Sequence, residues 1–397
     1  MLRAKNRHAK APSLDISVFD EIIASGDPAT RLKLARQLAG LVAARSTPPA
    51  ERQEVTPSLL KLLMDPVHEI RAAIADILCP VAQLHPDIIF AIAADEEDIA
   101  LPFLALSPSV RGRRQLAIFE AGDLARRKAL AGRCDIDEKT LSVMALKGEA
   151  PIVRVLLDNP SAQLHADDLK RIYVRFRDDP SITERLLSRP DLPLEIRIAH
   201  VRATTKRLRE KLARRKWLPA NDMQTLLASS EEDALVEILA RAGNSSELMA
   251  ALKFMSHKDA LTPSVILRAG CHGHVMVLEH ALAYLAGLPL RRANGLLNSK
   301  NGLSLRALYS KSGLPQSCFL LVRAIFETGR DLGLESFGDA APAPAEFGRA
   351  LLEKLVSGYD RVAVSEKARQ VDILSRFCDE ETRLLARHFR SGLLQAA

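Results

Sequence analysis

Apolar residues recur three and four positions apart along most of this chain. In GDPATRLKLARQLAGLV (26–42), Leu32, Ala35, Leu38, Ala39 and Val42 share one side of a helix. In MDPVHEIRAAIADIL (64–78), Ile70, Ala73, Ile74, Ile77 and Leu78 do the same. Both segments open on Asp-Pro and carry an arginine soon after, Arg31 and Arg71. A carboxylate at the N-cap accepts an unpaired N–H, and proline suits the first turn, so Asp27 and Asp65 are predicted caps. The two Asp-Pro pairs are 38 residues apart, and SLLKLLM (58–64) supplies a helix between them. Two antiparallel helices repeating at about 40 residues is the HEAT-like pattern.

Further along, a leucine stands four residues before a proline at Leu104/Pro108, Leu156/Pro160 and Leu186/Pro190. Each pair predicts a helix end that proline prevents from continuing. No segment alternates apolar and polar residues as a strand would. The expected fold is all-α: a HEAT-like α-solenoid of stacked helical hairpins with a C-terminal helical extension. Residues 1–13 read as a flexible basic tail, 14–216 as the HEAT-like repeats, and 217–335 as a second helical block. Within that block short helices are expected at 222–228, 232–242, 245–256, 262–270 and 275–286. SFGDAAPAPA (336–345) reads as a linker, and 346–397 returns to helix through Leu351, Leu352, Leu355, Val356, Val371, Leu374, Leu384 and Leu385.

Composition agrees with helices. Of 397 residues 47% are hydrophobic but only 4% aromatic, so the core is Leu, Ala, Ile and Val. Five scattered cysteines without a Cys-x-x-Cys pair read as reduced thiols of a cytoplasmic protein. The basic start lacks an apolar signal region, and no apolar run is long enough to span a bilayer, so no membrane partner is expected. The formal charge of +7 permits a nucleic-acid or acidic partner without requiring one.

Two groups of segments carry a resemblance. The first is DIALPFLALSP (98–108), PIVRVLLDNPSAQL (151–164) and DPSITERLLSRPDLPLEI (179–196). The second is LTPSVILRAG (261–270) and the stretch 281–315, with Leu285, Ala286, Gly287 and Pro289, then Arg306, Ala307, Leu308, Tyr309, Gly313, Leu314 and Pro315. Over roughly residues 30–330 the chain resembles an alphaproteobacterial family of HEAT-like helical proteins catalogued as a domain of unknown function. GCHGHVMVLEH (270–280) departs from that pattern, holding Cys and His where small, acidic and aromatic residues are expected. The resemblance implies fold and lineage; it carries no activity, cofactor or site residue.

The candidate chemistry is sparse. Cys271, His272 and His274 are the one clustered Cys/His set and a weak zinc candidate; a turn at Gly270 and Gly273 explains them more simply. RATTKRLREKLARRKW (202–217) is densely basic. On a helix Arg202, Lys206 and Arg209 share one face, and Arg207, Lys211, Arg214 and Arg215 cover another. Such a helix is solvated, docks on acidic segments of this chain (95–98 or 231–233), meets an acidic protein, or binds phosphates. Trp217 and Tyr309 read as packing residues. No GxSxG, P-loop, dinucleotide fingerprint, HExxH or kinase set occurs.

The expectation is therefore a non-catalytic adaptor or regulatory scaffold that binds a protein partner, with 202–216 as a contact region and no cofactor. The alternative is a nucleic-acid-binding HEAT-like protein, a glycosylase-like enzyme included, which would bring Arg113, Arg126 and Arg127 onto one face with Lys206, Arg207 and Arg214. A third class is an apolar-ligand pocket among the helices of 262–315.

Overall fold

The computed structural model describes residues 16–215, 219–298, 302–334, 337 and 343–395. The tail at 1–13, Trp217 and most of the linker expected at 336–345 lie outside them. Among the described residues all regular structure is helical, and the chain divides into two compact units, 1–191 and 192–397.

The first unit comprises α1 (Ile16–Ser25), α2 (Pro28–Ala43), α3 (Pro49–Leu62), α4 (His68–Leu78), α5 (Pro86–Ala93), α6 (Glu97–Leu106), α7 (Arg113–Ala121), α8 (Leu124–Ala131), α9 (Glu138–Lys147), α10 (Ala150–Asp158), α11 (Ala166–Phe176) and α12 (Pro180–Ser188). Each even-numbered helix packs on the next even one, and each odd-numbered helix from α1 to α11 on the next odd one. The unit is thus two layers of stacked helices, and each helix needs only one apolar stripe. α4 buries Ile70, Ile74, Ala75 and Leu78; α10 buries Ile152, Val153, Leu156 and Leu157. The even helices start at Pro28, His68, Glu97, Leu124, Ala150 and Pro180. The first step is 40 residues, but the later ones are only 26 to 30. The spacing shortens because α2 and α3 have 16 and 14 residues, whereas the helices from α5 to α12 have 8 to 11.

The two Asp-Pro pairs play different parts. Asp27 caps α2, accepting the Thr30 N–H at 2.8 Å, with Pro28 in the first turn. Asp65 does not cap α4, which starts at His68 behind Val67. Its carboxylate accepts the Val67 N–H at 2.9 Å and the Arg31 Nε–H at 2.8 Å. The arginine after the first Asp-Pro therefore pins the second. Arg71 repeats the device one step on, with Nε 3.0 Å from both Asp95 oxygens and Nη1 donating to the Asp65 carbonyl at 2.8 Å. Arg127 on α8 reaches Glu149, the N-cap of α10, at 2.8 Å.

At their other ends the even helices are joined through unpaired carbonyls. Ser109 Oγ donates to the Val81 carbonyl, and Arg133 to those of Leu104 and Ser107. Asn159 Nδ2 donates to Ala131 and Arg133, and Arg189 to Leu157 and Ala162. Pro108, Pro160 and Pro190 follow the α6, α10 and α12 ends as the sequence predicts.

The second unit comprises α13 (Leu194–Arg215), α14 (Ala220–Ala240), α15 (Ser245–His257), α16 (Pro263–Cys271), α17 (Val275–Leu285), α18 (Leu290–Leu297), α19 (Gly302–Ser312), a single 3-10 turn (Gln316–Cys318), α20 (Phe319–Asp331), α21 (Pro344–Ser357), α22 (Val364–Phe377) and α23 (Glu380–Gln395). Alternate packing runs α13–α15–α17–α19 and α14–α16. The chain then turns back, and α20, α21 and α22 all pack on α16. Phe347, Leu351, Leu352 and Leu355 are fully buried in the same core as Leu278, Leu282 and Ile325. The C-terminal helices are thus part of this core rather than an appended extension, although Leu384 is exposed.

Two boundaries differ from expectation. The helices anticipated at 222–228 and 232–242 are one, because nothing in ASSEED (228–233) breaks α14. The division between units falls at 191/192 instead of near 216, because the first half of α13 buries Leu194 and Ile198 in the core of the second unit.

Candidate functional site

The second half of α13 is anchored on one side only. Val201, Ala203, Thr205 and Leu212 are half-buried, while Lys206, Arg207, Arg209, Lys211, Arg214 and Arg215 are exposed. Arg202, half-buried, donates to the Lys258 carbonyl at 2.7 Å and lies 3.5 Å from Glu231. Among the described residues Lys206, Arg209, Lys211 and Arg214 have no hydrogen-bond or ion-pair partner. Arg207 and Lys211, and Lys211 and Arg215, stand one turn apart as like charges, each pair costing the helix about 0.2–0.5 kcal/mol. Glu210 is the one carboxylate of the segment, and it stands at that spacing from both Lys206 and Arg214. Arg214 and Arg215 lie in the last turn, where the helix dipole favours cations. Burial, then the charge of Arg207, lowers the pKa of His200 and keeps that imidazole neutral.

Of the acidic segments 95–98 and 231–233, the second meets the basic stretch through Glu231 and Arg202. Elsewhere, Asp95 and Glu96 hold Arg71, and Glu232 and Asp233 hold Arg268. Of the arginines that a nucleic-acid face would need, Arg126 donates to the carbonyls of Ala93 and Asp95, and Arg127 to the Phe119 carbonyl and Glu149. Both work as links between helices of the first unit; Arg113 is exposed.

The Cys271, His272 and His274 turn does not assemble a ligand set. Gly273 takes φ +88°, and a Cβ there would lie 3.2 Å from the Phe347 ring. Cys271 is buried, and burial drives its thiol pKa well up. His272 and His274 each keep a buried, unpartnered Nε2. Among the described residues the one trio whose ligand atoms lie within 4.8 Å of one another is His68, Glu96 and Asp98. That trio is already closed on itself, with His68 Nε2 2.7 Å from Asp98 and Arg71 Nη2 2.9 Å from Glu96.

His280 is fully buried between Ser245 and the Met276 carbonyl, at 2.8 Å from each. A carbonyl only accepts, so Nδ1 carries the proton and Nε2 accepts from the Ser245 hydroxyl. Tyr309 is also fully buried; its hydroxyl donates to the Pro315 carbonyl at 2.6 Å and its ring meets Phe319 edge-on. In the region where an apolar-ligand pocket was expected, a cavity of about 110 Å³ is lined by Val275, Leu297 and Phe326 but also by Glu279, Asn294 and Arg330.

The fold and the site together define an all-helical protein of stacked helices that presents a charged helix face. The chain belongs to the DUF2336 family, described as uncharacterised proteins conserved in bacteria, whose model matches residues 99–364. The match begins later and ends later than the resemblance at 30–330 suggested. No curated protein and no solved structure matches the chain. Among the described residues no helix is long and apolar enough to cross a membrane.

Proposed function

We propose that this protein is a non-catalytic adaptor or regulatory scaffold of the cytoplasm. Its helical pairs stack in HEAT-like fashion, and it docks an acidic protein partner on the second half of α13. One observation carries the reading: Lys206, Arg209, Lys211 and Arg214 are exposed without partners among the described residues, beside further cations at like-charge spacing. The segment 202–215 holds seven cations and one carboxylate in a chain of net charge +7. A partner bearing carboxylates relieves that repulsion and gains charge-assisted hydrogen bonds. Phosphates would answer the same cations, so nucleic acid is the second reading.

The test is a tagged purification from the native cell with and without nuclease. Wild type is compared with a variant carrying Lys206→Glu, Arg209→Glu, Lys211→Glu and Arg214→Glu. The expected result is one defined protein that survives nuclease, is lost at high salt, and rebinds after purification to wild type but not to the variant. Co-elution of nucleic acid alone, or a partner that the variant binds equally well, overturns the proposal.

A further inference from the structure

The polar face of α14 has no part in that reading. Asn221, Gln224, Thr225, Ala228, Ser229 and Glu232 follow one another three and four residues apart, and so line one side of the helix. They wall a groove of about 520 Å³ that Arg268 of α16 and Arg376 of α22 complete. A helix face that only packs against neighbours is apolar. This one offers amides and hydroxyls to an open cleft.

The two guanidinium groups are not fully satisfied. Arg268 is only 6% exposed. Its Nη1 donates to Asp233 at 2.6 Å and its Nη2 to Glu232 at 3.2 Å, but its Nε–H is buried without an acceptor. Folded proteins keep few such donors unpaired. Arg376 is exposed and has no hydrogen bond or ion pair among the described residues. Glu232 is already answered, accepting from Arg268 and from Ser264 Oγ at 2.6 Å. What remains open in the groove is donor capacity from two cations, beside neutral groups that donate or accept.

We infer that this groove binds a small oxyanionic molecule. Its phosphate or carboxylate lies between Arg268 Nε and the Arg376 guanidinium, and Gln224, Thr225 and Ser229 hold its polar body. The volume is within the range of about 300–1,000 Å³ usual for small-molecule sites and far above a bare anion's need. A nucleoside monophosphate or a sugar phosphate has the matching size and chemistry; a dicarboxylate supplies the same anionic group with less body.

The test is calorimetric titration of the full chain with adenosine monophosphate, glucose 6-phosphate, succinate and, as reference, inorganic phosphate. At least one organic anion is expected to bind with a submillimolar Kd and more tightly than inorganic phosphate. Arg376→Ala should weaken that binding by about tenfold or more, and Arg376→Lys should restore part of it. Arg268→Ala also unpairs Glu232 and Asp233 and so confounds folding with binding; the Arg376 variants carry the test for that reason. The fourfold α13 variant should bind the anion as wild type does, which separates this site from the protein-docking face. Failure of all four probes at millimolar concentration overturns the inference. So does binding that Arg376→Ala leaves unchanged, or binding lost only with the α13 cations.

Discussion

Asn159 gives a direct test of the carbonyl links that join the even-numbered helices. It is only 7% exposed, and its Nδ2 donates to the Ala131 carbonyl at 3.0 Å and the Arg133 carbonyl at 2.7 Å. Its Oδ1 accepts the Ser161 N–H at 2.9 Å. Asn159→Ala removes all three bonds. Ser161 is exposed and water replaces one of them, whereas the carbonyls at the end of α8 lose donors in a buried place. At about 1 kcal/mol net per bond, plus desolvated acceptors left unpaired, the loss is about 2–3 kcal/mol. Asn159→Asp keeps the acceptor for Ser161 but turns a charged oxygen toward two carbonyls, so at neutral pH it should cost at least as much as alanine. Burial and those dipoles raise the new carboxyl's folded pKa above the unfolded value of about 3.9. The folded state then binds the proton more readily, so the aspartate variant regains stability as pH falls through that raised pKa. Urea unfolding of the full chain, with hydrogen exchange of α8 and α10 peptides to assign the change to this unit, reads both effects. An alanine variant within about 0.5 kcal/mol of wild type refutes the reasoning. An aspartate variant more stable than alanine at neutral pH does so too.

Two glycines and three histidines extend the tests to other parts of the chain. A Cβ at Gly348 would lie 2.2 Å from Thr382 Oγ1, which donates to Asp379 at 2.8 Å. Gly348→Ala should therefore cost about 1–3 kcal/mol by overpacking, while Gly40→Ala in α2, with nothing within 4 Å, should gain about 0.5–1 kcal/mol; thermal melts that rank them the other way contradict the packing described. Burial lowers the pKa of His272, His274 and His280 below the ordinary 6.5. Below about pH 6.5 the unfolded chain therefore binds protons that the folded second unit refuses, and its stability falls as pH drops toward the folded values. Hydrogen exchange of α16 and α17 peptides, corrected for intrinsic rates, should show protection shrinking over that range, and a His272→Gln, His274→Gln variant should flatten the slope. Protection independent of pH counts against it.

The parts of the fold that were legible depend on neighbours in sequence. The stripes of α2 and α4, the Asp27 cap and the proline stops are all set within one or two turns. Asp65 was misread because its partner, Arg31, lies 34 residues away, and nothing local distinguishes a cap from an anchor. The shorter later spacing was hidden for a related reason: helices of 8 to 11 residues take their length from the layer they pack into. In the second unit, α14 reads in the sequence as two short helices, 222–228 and 232–242. That misreading also concealed the groove. Asn221, Gln224, Thr225 and Ser229 face away from the buried Met223 and Leu227, and only a continuous helix makes them a stripe. The cations of α13 were visible as composition. That Lys206, Arg209, Lys211 and Arg214 lack partners among the described residues was not, because it depends on where the carboxylates of distant segments lie.

That last point changes how the basic character of the chain is to be understood. Stacked helices bring successive C-terminal carbonyls side by side, and each needs a donor from outside its own helix. Guanidinium, with five donors in a planar fork, can serve two carbonyls at once; an ammonium is a poorer fit. Arg133, Arg175 and Arg189 each do this in the first unit. Their positive charge answers helix ends and local aspartates, so the arginine content of that unit argues for stacking and says little about a polyanionic partner. The α13 cations are the counter-case, because four of them answer nothing among the described residues. Removing an arginine of the first kind should therefore register as lost protection in two adjacent helices, and removing one of the second kind as lost binding with the fold intact.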